Sequence, residues 1–370
     1  MTILVTGATG FLGGALAAEL IASRLWPRVL LLVRAANVTL GRERMIQTLR
    51  KFAVPEEMLG LLRPEQILCA DLSAPASPSP HEDPRLRTVT KVIHCAAVTS
   101  FGASQRVFTT NVAGTLRFAK QLRNSAAIER FVYVSTAMIC GSEPEAVVRE
   151  DDHPRATTRH LVHYTQSKAH AETLLRQELP DFPLIVARPS IIVGHTQLGC
   201  QPSSSIFWTF RMADALRMIT SREDGQIDIV PVDYAARALI LLLTKPALAH
   251  TTYHISAASA SSCRWTEIAA AFDRARGATE ARATRYRTVG VRDVARRKPE
   301  FNSIFGPCNT AFMMRAIRLY GAFAALNCVF ANDRLREEGV TPSPRFSTYL
   351  DVCLRTTANL SIAEQMLIDF

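Results

Sequence analysis

The chain has 370 residues, 48% of them hydrophobic, and a formal net charge of +10, which suits one large α/β unit with a smaller appended region. No apolar run reaches the ~20 uncharged residues of a membrane span, and the chain opens in a core strand without a basic, cleavable leader, so a cytoplasmic location is expected. The eight cysteines are scattered without CxxC or His/Cys ligand spacing, which suits reduced thiols and no metal. The charge excess is mostly arginine and lacks an aromatic-interleaved basic motif, so an acidic small-molecule partner is expected in place of nucleic acid. Much of that excess lies between Arg274 and Lys298, a solvated face or a dock for a phosphorylated carrier or another anionic surface.

Thr2 to Thr6 is a β-branched, apolar run that leads into Gly7-Ala8-Thr9-Gly10-Phe11-Leu12-Gly13-Gly14 and an alanine-rich segment. Strand, glycine turn and helix N-terminus in that order form a dinucleotide site. The glycines let the turn close and a phosphate approach, and the free amides of the helix start favour its charge. Further strands are expected at 28–34, 66–70, 91–95, 130–135 and 183–188, with helices near 11–23, 39–52, 103–123 and 161–178. This alternation predicts a Rossmann-type, doubly wound parallel sheet over residues 1–190, completed by part of 191–260. The Pro/Ser/Ala-rich stretch 72–87 reads as a surface loop.

Beyond Pro189 the alternation stops. Helices at 203–219, 233–244, 264–275, 309–327 and 347–357 and short strands at 227–230 and 252–256 suggest a smaller substrate-binding lobe over 191–370, interleaved with the end of the sheet. Residues 309–330 are unusually apolar but interrupted by Arg315 and Arg318. They read as core or dimer packing, with the lining of a greasy substrate site or a membrane-surface helix as alternatives.

Several residues add chemistry to the turn. The second strand ends in Arg34, where a site preferring NAD commonly places an acid. With Arg44 on the next helix, Arg34 suits the 2′-phosphate of NADP. Asp71 and Leu72 follow the third strand and are expected at the adenine. Cys95, Ala96 and Ala97, after His94, are small enough to let a cofactor lie close. Tyr164 and Lys168 form a YxxxK on one helix face, one turn apart. A free phenol titrates near pH ~10, and the Lys168 ammonium stabilises its phenolate and can hold a ribose. Ser135 and Thr136 end the fifth strand at the sheet's carboxyl edge, where ligands of open α/β folds bind.

Taken in order, Thr6 to Gly13, His94 to Ala97, Asn111-Val112-Ala113-Gly114-Thr115, Val134 to Ala137, Tyr164 to Lys168 and Arg188-Pro189-Ser190-Ile191-Ile192-Val193-Gly194 resemble the extended short-chain dehydrogenase/reductase family over most of residues 1–245. Leu32 to Ala35, Arg42-Glu43-Arg44, Glu172 and Val230 to Tyr234 resemble its thioester-reductase and fatty-acyl-reductase branch, although Ala169 stands where carrier-linked members often have tryptophan. The resemblance implies Tyr164 as proton donor, Thr136 as the group orienting a carbonyl oxygen, and Lys168 as the group that lowers the Tyr164 pKa and binds ribose. It also implies Asn111 as a brace of sheet and active-site helix in the cofactor region, and Pro189, Ser190 and Ile191 around the carboxamide. A homodimer through 103–123 and 161–178 follows as well.

The expected function is NADPH-dependent reduction of an acyl thioester, aldehyde or ketone of a hydrophobic substrate, free or bound to CoA or a carrier. An NAD-dependent epimerase of a nucleotide sugar and a non-catalytic NADP sensor are the alternatives. Dehydratases of this fold place Asp-Glu after the threonine, where this chain has Ala137-Met138. Lesser expectations are His94 as a packed, hydrogen-bonded side chain, His163 on the surface, Asp233 as a helix cap and Glu150-Asp151-Asp152 as a solvated turn. Ser100 and Phe101 are expected near substrate.

Overall fold

The computed structural model describes residues 1–73, 83–99, 105–277 and 285–369. Ser100 and Phe101, part of the 72–87 loop and Arg282 lie outside the described residues.

Alternation of strand and helix builds β1 (Thr2–Thr6), α1 (Phe11–Ile21), β2 (Val29–Val33), α2 (Val38–Lys51), β3 (Ile67–Cys69) and β4 (Val89–His94). There follow α3 (Thr115–Ser125), β5 (Arg130–Val134), α4 (His163–Glu178) and β6 (Leu184–Pro189). After these come α5 (Phe207–Leu216), α6 (Val232–Thr244), β7 (Thr252–Ile255), α7 (Trp265–Ala275), α8 (Thr310–Ala324), α9 (Phe346–Thr356) and α10 (Ile362–Asp369). Shorter helices and two-residue strands are given by range.

The seven strands form one sheet in the order β7-β6-β5-β4-β1-β2-β3, and every pairing is parallel. Successive side chains of a strand point to opposite faces, so near-continuous apolar runs imply a sheet covered on both sides. On one face Ile3, Val5, Leu31, Val132 and Ala187 pack against α1, α2 and α6. On the other, Leu4, Leu32, Phe131, Tyr133 and Val186 pack against α3 and α4. The order reverses between β1 and β4, so the connections leaving these neighbours run to opposite sides of the sheet. They open a crevice beyond their carboxyl ends.

The helix expected over 103–123 is interrupted by a π-helical turn at Thr109–Gly114 between Gln105–Phe108 and α3. The expected strand at 227–230 divides into Gln226–Ile227 and Ile229–Val230, which pair with different partners. Thr252–Ile255 joins the main sheet beside β6, and α6 packs on α1, so the sheet draws on chain well beyond Pro189.

Most of the remainder encloses two further apolar clusters. Phe207, Phe210, Trp265, Phe272, Phe346 and Tyr349 form the first. Trp208, Met212, Phe301, Phe305, Met313 and Ile317 form the second. In the described part of the basic stretch Arg296 pairs with Asp293 and Arg297 with Glu300, while Val289 and Val291 pack against the second cluster. Among the described residues no helix is long and apolar enough to cross a membrane.

Two expectations change. Asp233 sits in the first turn of α6 but caps nothing there. Its carboxylate accepts from the Thr196 amide (3.1 Å) and hydroxyl (2.8 Å) and from Arg237, fastening a neighbouring loop. Glu150 is buried, not solvated: Oε1 accepts from the His254 amide at the sheet edge, and burial pushes its carboxyl up to about 7.

Candidate active site

The glycine turn closes as its composition requires. Gly7 has φ +69°, where an L side chain is strained, and a Cβ there would lie 2.7 Å from the Ala96 amide nitrogen. A Cβ on Gly13 would lie 2.1 Å from the Gly7 carbonyl oxygen, so only glycine lets α1 start this close to β1. The Gly10 amide donates to the Gly7 carbonyl at 2.9 Å. The N-terminus of α1 has neither a side-chain cap nor an acidic residue in its first turn, so its amides and dipole face the crevice uncompensated.

A cleft of about 850 Å³ runs from this turn across the switch point. Gly7, Thr9, Gly10, Phe11 and Leu12 line one end, with Arg34, Arg44, Asp71 and Leu72 beside them. The Arg44 guanidinium donates to the Arg34 carbonyl, which leaves the exposed Arg34 side chain at the edge of the cleft. Asp71 accepts from the Ser73 amide (2.8 Å) and hydroxyl (2.6 Å). Burial would raise its carboxyl, but those bonds and the Arg34 and Arg106 charges outweigh it and hold the group below its ordinary value. Cys95, Ala96 and Ala97 form the floor, and Pro189, Ser190 and Ile191 a wall.

Thr136, Tyr164 and Lys168 line the same cleft. Thr136 caps the short helix Ala137–Cys140, its Oγ1 accepting from the Met138 amide at 3.3 Å. Lys168 is 2% exposed, donates from Nζ to the Val134 carbonyl at 2.7 Å, and lies 4.8 Å from the centre of the Tyr133 ring. Burial lowers it to about 8, opposed by Cys95 and Glu172. Burial also pushes the Tyr164 phenol up to about 12, so the lowering expected from Lys168 is not seen and the phenol keeps its proton across the neutral range.

Asn111 is the exception among the expected cofactor residues, for it does not reach the cleft. It is 1% exposed. Its Oδ1 accepts from the Val98 amide (2.7 Å), and its Nδ2 donates to the Val98 carbonyl and to Ser167 Oγ (both 3.0 Å). Ser167 in turn donates to the Tyr164 carbonyl. Asn111 therefore acts as the expected brace, locking the chain beyond β4 to α4. The π-helical turn brings it there. His94 is packed and hydrogen-bonded as expected, to Thr6 (2.9 Å) and Thr115 (3.0 Å), and burial, then the Lys168 charge, lowers it to about 3. His163 is exposed.

The sequence gives no sign that Arg106, Ser203, Ser205, Ile206 and Tyr320 also line the cleft, beside Met138 and Phe323. The 309–330 segment divides between core and cleft. Met313, Met314 and Ile317 of α8 are core, while Tyr320 and Phe323, near its end, face the cleft.

These features fit a dinucleotide: a cradle that any Cβ would fill, uncapped amides and flanking arginines. Comparison with known proteins decides the family. The male sterility protein family, an NAD-binding family, matches residues 5–239. The chain belongs to it, as an extended short-chain dehydrogenase/reductase of the thioester-reductase branch.

The chain is 30% identical over 271 residues to the non-canonical nonribosomal peptide synthetase FrzA of Cladobotryum sp, a match covering 68% of the chain and 26% of FrzA. It is 26% identical over 307 residues to fatty acyl-CoA reductase 2 of Mus musculus, covering 71% of the chain and 59% of that protein. The chain thus spans about a quarter or less of the peptide synthetases it matches first. Its fold is that of the terminal R domain from the myxalamid PKS-NRPS biosynthetic pathway, with a TM-score of 0.77 at 22% identity over 97% of this chain and 90% of that one. The chain thus belongs to a family of NAD(P)-binding oxidoreductases.

Proposed function

We propose that the chain reduces acyl thioesters, or the aldehydes they yield, with NADPH, on apolar acyl groups carried by CoA or a carrier protein. The observation that carries this reading is the convergence of Thr136, Tyr164 and Lys168 on one cleft that Met138, Ile206, Tyr320 and Phe323 also line. When bound, reduced nicotinamide supplies a hydride to the carbonyl carbon. The chain's own residues handle the oxygen. The Thr136 and Tyr164 hydroxyls are donors for the carbonyl oxygen, where negative charge develops, and the Tyr164 proton passes to it. The Lys168 ammonium, out of water, lowers the cost of the phenolate left behind.

The charged side chains that line the cleft among the described residues are Arg34, Arg44, Asp71, Arg106 and Lys168. The first three flank the glycine turn, Arg106 acts electrostatically on Asp71 and Lys168 lies beside Tyr164, so Met138, Ile206, Tyr320 and Phe323 are left to meet the acyl group. A charge on that group would be buried without a partner. The test is NADPH oxidation followed by absorbance with a panel of acyl-CoA and carrier-linked thioesters. Uncharged apolar acyl groups are expected to turn over at least about tenfold faster than ω-carboxylated ones. No turnover on any thioester or aldehyde, with oxidised NAD retained through purification, would point to the epimerase instead.

The arginines and the lack of an acid at the end of β2 support NADPH over NADH. Arg34→Ala is expected to raise KM for NADPH about tenfold, the loss of one charge-assisted contact, and to leave KM for NADH nearly unchanged. Equal effects on both cofactors would exclude a 2′-phosphate contact.

A further inference from the structure

Two pairs of cysteines that the proposed reaction does not use meet away from the cofactor end of the cleft. Cys200 and Cys353 are hydrogen-bonded to each other, both buried, with the Cys353 thiol pushed well up by that bond and by burial. The other pair differs. Cys140 closes the short helix Ala137–Cys140 that Thr136 caps. Cys328 directly precedes the strand Val329–Phe330, which pairs in parallel with Val147–Val148 and so draws the chain beyond α8 onto the chain beyond the Thr136 turn.

Cys328 lies with Ala137, Val148 and Phe330 in a small separate apolar cluster, against which Met138, Cys140 and Leu326 pack. The thiols of Cys140 and Cys328 are hydrogen-bonded to each other. That bond, aided by the Arg188 guanidinium, lowers Cys140 against the effect of burial, whereas the same bond and burial push Cys328 far up. Cys140 is half-buried and packs against the cluster that holds Cys328, so the two thiols are neighbours drawn from distant parts of the chain. Each side of the pair leads to the cleft: Met138 lies two residues before Cys140, and Tyr320 and Phe323 end the helix just before Cys328.

We propose that Cys140 and Cys328 form a reversible dithiol–disulfide site that ties the Thr136 turn to the chain leaving α8. The oxidant is a hydroperoxide. The Cys140 sulfur, giving up its proton, attacks the terminal oxygen, the O–O bond breaks, and a sulfenic acid forms as the leaving oxygen takes up a proton and departs as water or alcohol. The Cys328 sulfur then attacks the Cys140 sulfur, the S–O bond breaks, and water leaves as the Cys328 proton is taken up. With hydrogen peroxide, two thiols and one peroxide give one disulfide and two waters. The link would join two cleft-lining elements covalently, and a thiol reductant would release them.

The test treats the full chain with hydrogen peroxide and maps it by non-reducing proteolysis and mass spectrometry. The expected result is a Cys140–Cys328 peptide that is absent in Cys140→Ser and Cys328→Ser, present in Cys200→Ser, and removed by dithiothreitol. Hydrogen exchange of 137–140 and 320–330 is expected to slow on oxidation in the wild type and not in Cys328→Ser. NADPH-dependent turnover should fall about fivefold, reversibly, if the elements must move during the cycle. Mapping and exchange decide the matter without turnover, so failure of the reductase reading would not be mistaken for failure of the switch. Absence of the link, or a link with unchanged exchange, overturns it.

Discussion

Replacing Tyr164 by phenylalanine is expected to lower kcat by about a thousandfold while leaving the Kd for NADPH within about twofold, because it removes the proton donor and little else. On the proposed reading the phenol acts on the reacting carbonyl, whereas the glycine turn, the arginines and Lys168 hold the nucleotide. Steady-state kinetics with a saturating acyl thioester, and NADPH titration by fluorescence, separate the two effects. The pH dependence follows from the same residues. Burial lowers Lys168 to about 8 and raises Tyr164 to about 12. The lysine is charged below about 8 and loses its proton as the pH rises through that value, while the phenol remains protonated throughout. The rate constant kcat/KM, which reports the free protein, should therefore decline above about pH 8 in the wild type. A Tyr164→Phe variant that keeps a tenth or more of wild-type kcat, or a decline beginning only near pH 10, would count against the assignment.

The largest expected effect on stability lies behind the site. Arg188, at the end of β6, is 1% exposed and binds Glu172 of α4 through Nη2 to Oε2 at 2.8 Å and through Nε to Oε1 at 3.1 Å. Its remaining donors reach the Asp152 carbonyl at 3.0 Å and His153 Nδ1 at 3.0 Å. Glu172→Ala would leave a guanidinium buried without its counter-charge, at a cost of about 3–5 kcal/mol measured by urea unfolding. Glu172→Gln keeps an acceptor for one of those bonds and should cost clearly less. A loss below about 1 kcal/mol for the alanine variant would mean that water or another carboxylate replaces Glu172. Because α4 carries Tyr164 and Lys168 and β6 leads into Pro189 and Ser190, the pair also fixes the relative position of two sides of the cleft.

The nucleotide-binding end of the cleft was legible because its signals are local. The left-handed turn at Gly7 and the contact at Gly13 each need a missing side chain, and missing side chains show in a sequence. Tyr164 and Lys168 are one helical turn apart, so their shared face follows from helix geometry alone. Asn111 was legible as a brace but not as a buried one, since the π-helical turn that directs it away from the cleft leaves no mark in the pattern of apolar residues. Glu150 was misread because three consecutive acids look solvated. Nothing nearby in sequence announces the His254 amide across the sheet edge.

What the sequence by itself determined is therefore the doubly wound sheet, the dinucleotide turn and the tyrosine–lysine pair, all written in short-range spacing and backbone preference. Tertiary structure alone decided which of the later strands completes the sheet, that Met138, Ile206, Tyr320 and Phe323 line one cleft, and that Cys140 and Cys328 come together. Those residues are far apart along the chain, and only the packing of the later helices brings them together. Periodicity reports which face of a helix is buried but not which distant surface covers it.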